Sequence, residues 1–149
     1  MTRTTTLIIT AIALAATAVS ATELTESIKR DVRRGEDAAA SAYKPGAAFP
    51  GYAMRLFRAE EKKHEKKSDA FKLGFAEIAC WQMAVRYQQP LSSSRQDLEK
   101  AAAGWLFYST RATTLQMQMH LTDAQMLQLF GAERFRYIQN LPGSVIPWR

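Results

Sequence analysis

The sequence predicts an all-α fold: a single small bundle of four to five helices that follows a cleaved N-terminal signal peptide. Apolar residues recur at helical spacing along most of the chain, and no segment of five or more residues alternates like a strand. The five prolines fall near the breaks between these patterns, where they end helices. A chain of 149 residues, 47% of them hydrophobic, suits one globular domain.

The N-terminal segment has the three parts of a secretory signal peptide. Arg3 gives a positive start, residues 7–19 carry no charge, and Val19 and Ala21 supply the small residues that precede a cleavage site. An apolar helix of this length reaches only about 20 Å, whereas the hydrocarbon core of a bilayer is roughly 30 Å thick. We therefore expect cleavage after Ala21, a domain over 22–149 without a transmembrane anchor, and a periplasmic or secreted location.

Composition narrows the chemistry of the mature chain. Its one cysteine cannot form an internal disulfide, a cysteine-based zinc finger or a covalent haem attachment. Removal of the predicted signal peptide, residues 1–21, takes away one cation, Arg3, and no acid, so the formal net charge falls only from +6 to +5. Without a disulfide, the core of an exported domain has to hold by packing alone.

The first two helices are predicted over 22–43 and about 52–67. Apolar residues four apart support the first, and Pro45 lies just beyond its end because proline cannot continue the hydrogen-bond ladder. The second helix becomes wholly polar over its last eight residues. Two alternatives stay open there: Ser68 caps a new helix, or the second helix runs unbroken to Tyr87.

The third and fourth helices are predicted over 69–87 and 95–119. The third is apolar on nearly every side, which is typical of a helix buried at the centre of a bundle. Pro90 closes it, and a short serine-rich linker follows. In the fourth helix the expected inner face is formed by Leu98, Ala102, Trp105, Ala112, Leu115 and Met119.

The fifth helix has the strongest start signal in the chain, because Thr122 and Gln125 have the spacing of a capping box. Gly131 is expected to interrupt this helix, and residues 144–149 are expected to form a tail that folds back on the bundle. The predicted inner face consists of Leu127, Phe130, Phe135 and Ile138.

Glu77 is the one acidic residue in the interior of the predicted central helix, and it is the only catalytic candidate. A carboxyl group in an apolar pocket has a raised pKa and can serve as a general acid, as in cell-wall glycosidases. The alternative is an internal ion pair with Arg86, Arg111 or another inward-facing arginine. We favour the ion pair. No second carboxylate stands at a suggestive position in the sequence, although folding could bring Asp97 or Glu99 near.

Metal and cofactor sites have only isolated candidates. Glu61 and His64 have the spacing at which two helical side chains can share a metal ion, but the chain has no second such pair and the adjacent lysines repel a cation. A haem between His120 and a methionine is an alternative, although methionine at helical spacing mostly fills the core. Cys80 lies within the most apolar segment, which favours a buried role over a nucleophile. We expect no metal and no cofactor.

A basic stretch between Arg55 and Lys72 carries seven positive and four acidic residues. Such stretches commonly serve solubility, and they can also contact an anionic partner. Export argues against nucleic acid as that partner. The expected partner contacts, called the basic surface below, are Arg55, Arg58, Lys62, Lys63, Lys66 and Lys67.

The aromatic residues exceed what a minimal bundle needs, and we expect some of them at an interface with a partner. This set contains Tyr52, Phe57, Trp81, Tyr87, Trp105, Phe107, Tyr108 and Trp148. The sequence has no glycine-rich phosphate loop, no nucleophile elbow and no zinc-protease motif.

Together these patterns favour an exported, non-enzymatic protein that binds another envelope or exported protein with an acidic surface. A secretion-system or envelope accessory factor and a toxin-neutralising partner both fit this description. Two alternatives stay open: a small cell-envelope hydrolase that uses Glu77 as general acid, and a carrier of haem or another small ligand.

The predicted cleavage can be measured directly in a Gram-negative host. We expect the protein recovered from the periplasm to begin at Thr22, as read by N-terminal sequencing and intact mass. Ala21→Phe should cause the uncleaved precursor to accumulate, because the residue before the cut has to be small, whereas Ala21→Ser should be processed normally. Full-length protein in the cytosol with Leu7 still attached would contradict the prediction.

Overall fold

The computed structural model describes residues 22–43, 50–88 and 95–140. The predicted signal peptide over 1–21 and the predicted tail over 144–149 lie outside these residues. Over the described ranges the chain forms five α-helices and no strand, which confirms the all-α prediction. Within that same part of the chain, no helix combines the length and apolar character needed to span a bilayer.

The helices are α1 (Glu26–Ala42), α2 (Pro50–Lys63), α3 (Asp69–Gln88), α4 (Arg95–Gln118) and α5 (Asp123–Gln139). Helix α3 is the central element and packs mainly against α1 and α4. Thirteen of its twenty residues are buried, as its apolar character on nearly all sides predicts. Helix α5 packs against α3 and α4, and α2 lies against α1, α3 and α4.

Helix α1 begins at Glu26, four residues later than predicted. Thr25 is its N-cap, since the Thr25 hydroxyl accepts a hydrogen bond of 3.2 Å from the amide of Ile28. The residues before the cap are joined to the distant turn between α4 and α5. The Thr22 amide donates to the His120 carbonyl at 3.1 Å, and the Gln125 side chain donates to the Thr22 carbonyl at 2.5 Å.

Helix α2 ends at Lys63, and the predicted extension to Lys67 is wrong. A turn separates it from α3, where the Ser68 hydroxyl accepts a hydrogen bond of 3.2 Å from the amide of Phe71. The wholly polar segment provides no apolar stripe to bury, so a capped new helix replaces a continuous one. Of the two alternatives, the new helix that starts after Ser68 is therefore confirmed, and the unbroken helix to Tyr87 is wrong.

Helix α5 confirms the capping box. The Thr122 hydroxyl accepts from the Gln125 amide at 3.2 Å, and the Gln125 side chain accepts from the Thr122 amide at 2.9 Å. Gly131 has non-helical backbone angles (φ 79°), so the predicted interruption is also confirmed.

The prediction of the inner face of α5 is wrong for one residue, Leu127. Phe130, Phe135 and Ile138 are buried, but Leu127 is 43% exposed. The buried stripe before the break consists of Met126 and Phe130, which are four apart. Because each residue turns the helix by about 100°, Leu127 points away from the direction that Met126 takes into the core.

The aromatic residues mostly build the core instead of an interface. Phe57 has no exposed surface, and its ring contacts Tyr43, Phe75 and Tyr108 with centroids 5.7, 6.1 and 5.8 Å apart. These edge-on contacts are the preferred geometry of aromatic pairs. They join α2 to α3, to α4 and to the end of α1.

A second aromatic group lies between α3, α4 and α5. Trp105 is fully buried, and its indole N–H donates to the Tyr137 carbonyl at 2.6 Å, which satisfies its one polar atom. Tyr87 packs against Trp105 with ring centroids 5.7 Å apart. The expectation that the bundle does not need these aromatic side chains for its core is therefore wrong for four of them, which are buried: Phe57, Tyr87, Trp105 and Tyr108. The side chains of Tyr52 and Trp148 lie outside the described residues.

Helices α1 and α3 cross at two glycines. The backbone of Gly35 lies against the carbonyl of Phe71, and the backbone of Gly74 lies against the carbonyl of Val32. A methyl group at either glycine would overlap with the opposite backbone, which cannot move aside as a side chain can. Glycine lowers helix propensity, but at this crossing it permits the close approach of the two helices.

Gly74→Ala should lower the free energy of unfolding by about 1–3 kcal/mol, because the added methyl group overpacks a backbone contact. Gly104→Ala is the matched control, since its methyl group would meet the flexible side chains of Met54 (2.7 Å) and Met83 (2.9 Å). Urea denaturation of both variants measures the difference. An equal loss in the two variants, or no loss in Gly74→Ala, would contradict this account of the crossing.

Candidate functional site

Glu77 lies in the middle of α3 with a fully buried side chain. Arg134 of α5 binds both of its carboxylate oxygens: Nε donates to Oε1 at 2.7 Å, and Nη2 donates to Oε2. Two parallel bonds of this kind are the strongest arrangement of an arginine with a carboxylate. The structure thus contains the internal ion pair, with Arg134 as the partner in place of Arg86 or Arg111.

The ion pair belongs to a cluster that joins three helices. Arg134 also lies 3.4 Å from the carboxylate of Glu36 on α1, and its guanidinium lies 5.9 Å from the ring centroid of Trp81. Burial raises the pKa of Glu77 to about 7, and the hydrogen bonds and positive charge of Arg134 oppose this increase. The pKa of Glu36 is raised as well, mainly by burial.

The geometry of Glu77 does not suit a general acid. Such a group has to reach the substrate atom that receives its proton. Glu77 has no exposed side-chain surface, and an arginine holds both of its oxygens. A substrate has no route to this carboxyl group in the described structure, so the arrangement is suited to holding α1, α3 and α5 together.

Cys80 is buried one turn further along α3. Its thiol donates to the Tyr137 carbonyl at 3.6 Å, and burial raises its pKa. The reactive form of cysteine is the thiolate, which this environment disfavours.

The basic surface runs along α2 from Arg55 to Lys63 and into the turn that follows, and all six of its side chains are exposed. Lys63 pairs with Glu60 at 3.2 Å. The four members that form no ion pair with a carboxylate of the described residues are Arg58, Lys62, Lys66 and Lys67. Uncompensated positive charge is therefore concentrated at this end of the molecule.

A cavity of about 390 Å³ opens beside the basic surface, where α2, α3 and α4 meet. We call it the α2 cavity. It is lined by Arg58, Glu61 and Lys62 of α2, His64 and Glu65 of the turn, Phe71, Lys72 and Phe75 of α3, and Arg111 of α4. The sequence pattern predicted neither this cavity nor the contribution of Lys72 and Arg111 to its lining.

The wall of the α2 cavity combines ion pairs with stacked rings. Arg111 pairs with Glu61 at 3.5 Å, and the guanidinium groups of Arg58 and Arg111 lie 5.2 and 5.1 Å from the ring centroid of Phe107. The phenol of Tyr108 lies behind Glu61, and burial together with this carboxylate raises its pKa. The charged groups around the opening are thus held by aromatic neighbours.

The two metal candidates, Glu61 and His64, both line the α2 cavity. Each is already engaged: Glu61 with Arg111, and the His64 ring with the Glu60 carboxylate at 3.1 Å. Across 22–43, 50–88 and 95–140, no group of three or more His, Cys, Asp and Glu side chains is arranged to hold a metal ion.

The haem candidate His120 lies in the turn between α4 and α5, where it is exposed and has a left-handed backbone (φ 54°). Its amide donates to the Met117 carbonyl at 3.1 Å, which helps to close α4. Met83 and Met126 are buried within the core, as expected of methionines that fill gaps between helices.

Comparisons of this chain with protein-family models, with curated proteins and with solved structures found no match.

Arg134→Met should lower the free energy of unfolding by about 3–5 kcal/mol, because it leaves the Glu77 carboxylate buried without a partner. The double variant Glu77→Met, Arg134→Met should regain most of this loss, since methionine of similar volume needs no partner. Arg34→Met, a change at an exposed arginine of α1 that forms no ion pair with a carboxylate of the described residues, should stay within about 0.5 kcal/mol of the parent. Urea denaturation at neutral pH measures all three, and a double variant as unstable as the single one would contradict the prediction.

Proposed function

We propose that this protein is exported and acts without catalysis, by binding an acidic surface of another envelope or exported protein through its basic surface. The observation that supports this most is the placement of charge. Arg58, Lys62, Lys66 and Lys67 are exposed and form no ion pair with the carboxylates of the described residues. Such a cluster attracts an oppositely charged partner and raises the rate of association.

The interior supports a binding role over an enzymatic one. Its acids are engaged with an arginine: Glu77 and Glu36 both lie against Arg134. Enzymes commonly place residues of shifted pKa in a cleft where they meet a substrate. Here the carboxyl group with the shifted pKa is sealed within the bundle, and the unpaired charges lie on the surface.

Export is supported by the pattern of the N-terminal segment, and the backbone contacts of Thr22 are compatible with cleavage just before it. Thr22, the first residue after the proposed cut, bonds to the turn between α4 and α5 through its own backbone. Cleavage after Ala21 would leave both of these hydrogen bonds in place. The contacts of Thr22 therefore tie the new N-terminus to the domain once the signal peptide is removed.

The binding role predicts a loss of partner capture after charge reversal. A triple variant with glutamate in place of Lys62, Lys66 and Lys67 should reduce the amount of partner recovered from an envelope extract at least about tenfold. The reason is that attraction between opposite charges becomes repulsion between like charges. Quantitative mass spectrometry of the captured proteins measures this amount. Raising the salt concentration should weaken capture by the parent protein in the same direction.

The matched control reverses three exposed cations elsewhere, Arg30, Arg34 and Lys100→Glu, so that the net charge changes equally. This control should keep its partner. If the variant at Lys62, Lys66 and Lys67 captured as much partner as the parent, the basic surface would not be part of the interface. If both variants lost capture equally, the effect would depend only on net charge.

A further inference from the structure

We propose that the α2 cavity binds a small organic anion with an aromatic body, of the class of aryl phosphates and aryl carboxylates. This inference goes beyond the protein-binding role and does not rest on it. The cavity shares Arg58 and Lys62 with the basic surface, but it also draws residues from α3, α4 and the turn after α2, so it is a concave site with its own lining.

The size and construction of the cavity suit a small molecule. Its volume is about 390 Å³, and sites for small ligands commonly measure roughly 300–1,000 Å³. Helices α2, α3 and α4 each contribute side chains to its wall, so the positions of these groups are set by the packing of the bundle. A site built on helices holds its geometry better than one built on a free loop.

The charge of the lining favours an anion. Arg58, Lys62 and Lys72 converge on the cavity from two helices, and none of them pairs with a carboxylate of the described residues. Arg111 completes a set of four cations, against the two acids Glu61 and Glu65. The lining therefore has an excess of two positive charges when His64 is neutral, and an anionic group would relieve the repulsion between the cations.

The acid nearest to these cations does not cancel the excess. Glu61 is held by Arg111 at 3.5 Å, and this pair leaves Arg58, Lys62 and Lys72 available. Glu65 lies in the exposed turn and also lines the cavity. An arriving phosphate or carboxylate would thus meet three cations that form no ion pair with a carboxylate of the described residues.

Aromatic rings belong to the lining of the site. The ring of His64 is partly exposed and lies 5.0 Å from the nearly buried ring of Phe71, and the nearly buried Phe75 also lines the cavity. A planar ligand can pack against the His64 ring, because offset and edge-on ring contacts are favourable. Rings and cations in one lining together favour a ligand with a flat apolar body and one anionic end.

Titration of the purified protein with phenyl phosphate tests the proposal, with binding followed by calorimetry and by amide chemical shifts. We expect saturable one-to-one binding, weaker binding of inorganic phosphate, and no binding of phenol. Lys72→Gln should weaken phenyl phosphate binding at least tenfold. Lys66→Gln is the matched control, because Lys66 is an exposed cation outside the cavity, and it should leave binding unchanged.

Several results would overturn the inference. Absence of saturable binding would do so, as would an equal loss in Lys72→Gln and Lys66→Gln, which would indicate diffuse attraction to the basic surface. If phenol bound as tightly as phenyl phosphate, the anionic group would not be needed for binding. If inorganic phosphate bound as tightly as phenyl phosphate, the aromatic rings of the lining would not contribute to binding. Unchanged thermal melting of both variants shows that they are folded.

Lys72 lies outside the basic surface and Lys66 lies outside the cavity. A failure of the proposed ligand site can therefore be distinguished from a failure of the proposed protein-binding role.

Discussion

The buried ion pair between Glu77 and Arg134 is the constraint on which the arrangement of the bundle depends. A carboxylate at the centre of α3 is costly unless an arginine reaches it, so α5 has to lie where Arg134 can donate to both oxygens. Gly131 breaks α5 three residues earlier and lets the second half of the helix take its own direction. The same half then supplies the Tyr137 carbonyl, which accepts from Trp105 of α4 and Cys80 of α3.

The close crossing of α1 and α3 works with this ion pair. Gly35 and Gly74 let the two backbones touch, which places α1 near enough for Glu36 to reach Arg134. Apolar contacts alone would tolerate several relative positions of these helices, whereas a bidentate ion pair and a backbone contact tolerate few. With one cysteine the chain cannot form an internal disulfide, so the described helices are held by this polar centre and by apolar and aromatic packing.

The protein separates its ionisable groups into two sets with different roles. The acids Glu77 and Glu36 in the interior are matched to Arg134 and stabilise the fold. The cations at the end of α2 and around the α2 cavity are exposed or half-buried, and they outnumber the acids there. Because exposed ion pairs contribute little to stability, charges left unpaired there cost the fold little and stay available to an anionic partner or ligand. Both proposals about function depend on this separation.

Local patterns in the sequence determined the helical class, the capping box at Thr122, the break at Gly131 and the exposure of the basic surface, because each depends on residues only a few positions apart. Tertiary structure alone decided which arginine pairs with Glu77, since Arg134 lies 57 residues away in the chain. It also decided the glycine crossing, the burial of the aromatic residues and the cavity that Arg111 completes. These features depend on how helices pack, and neither spacing nor composition specifies which distant faces meet.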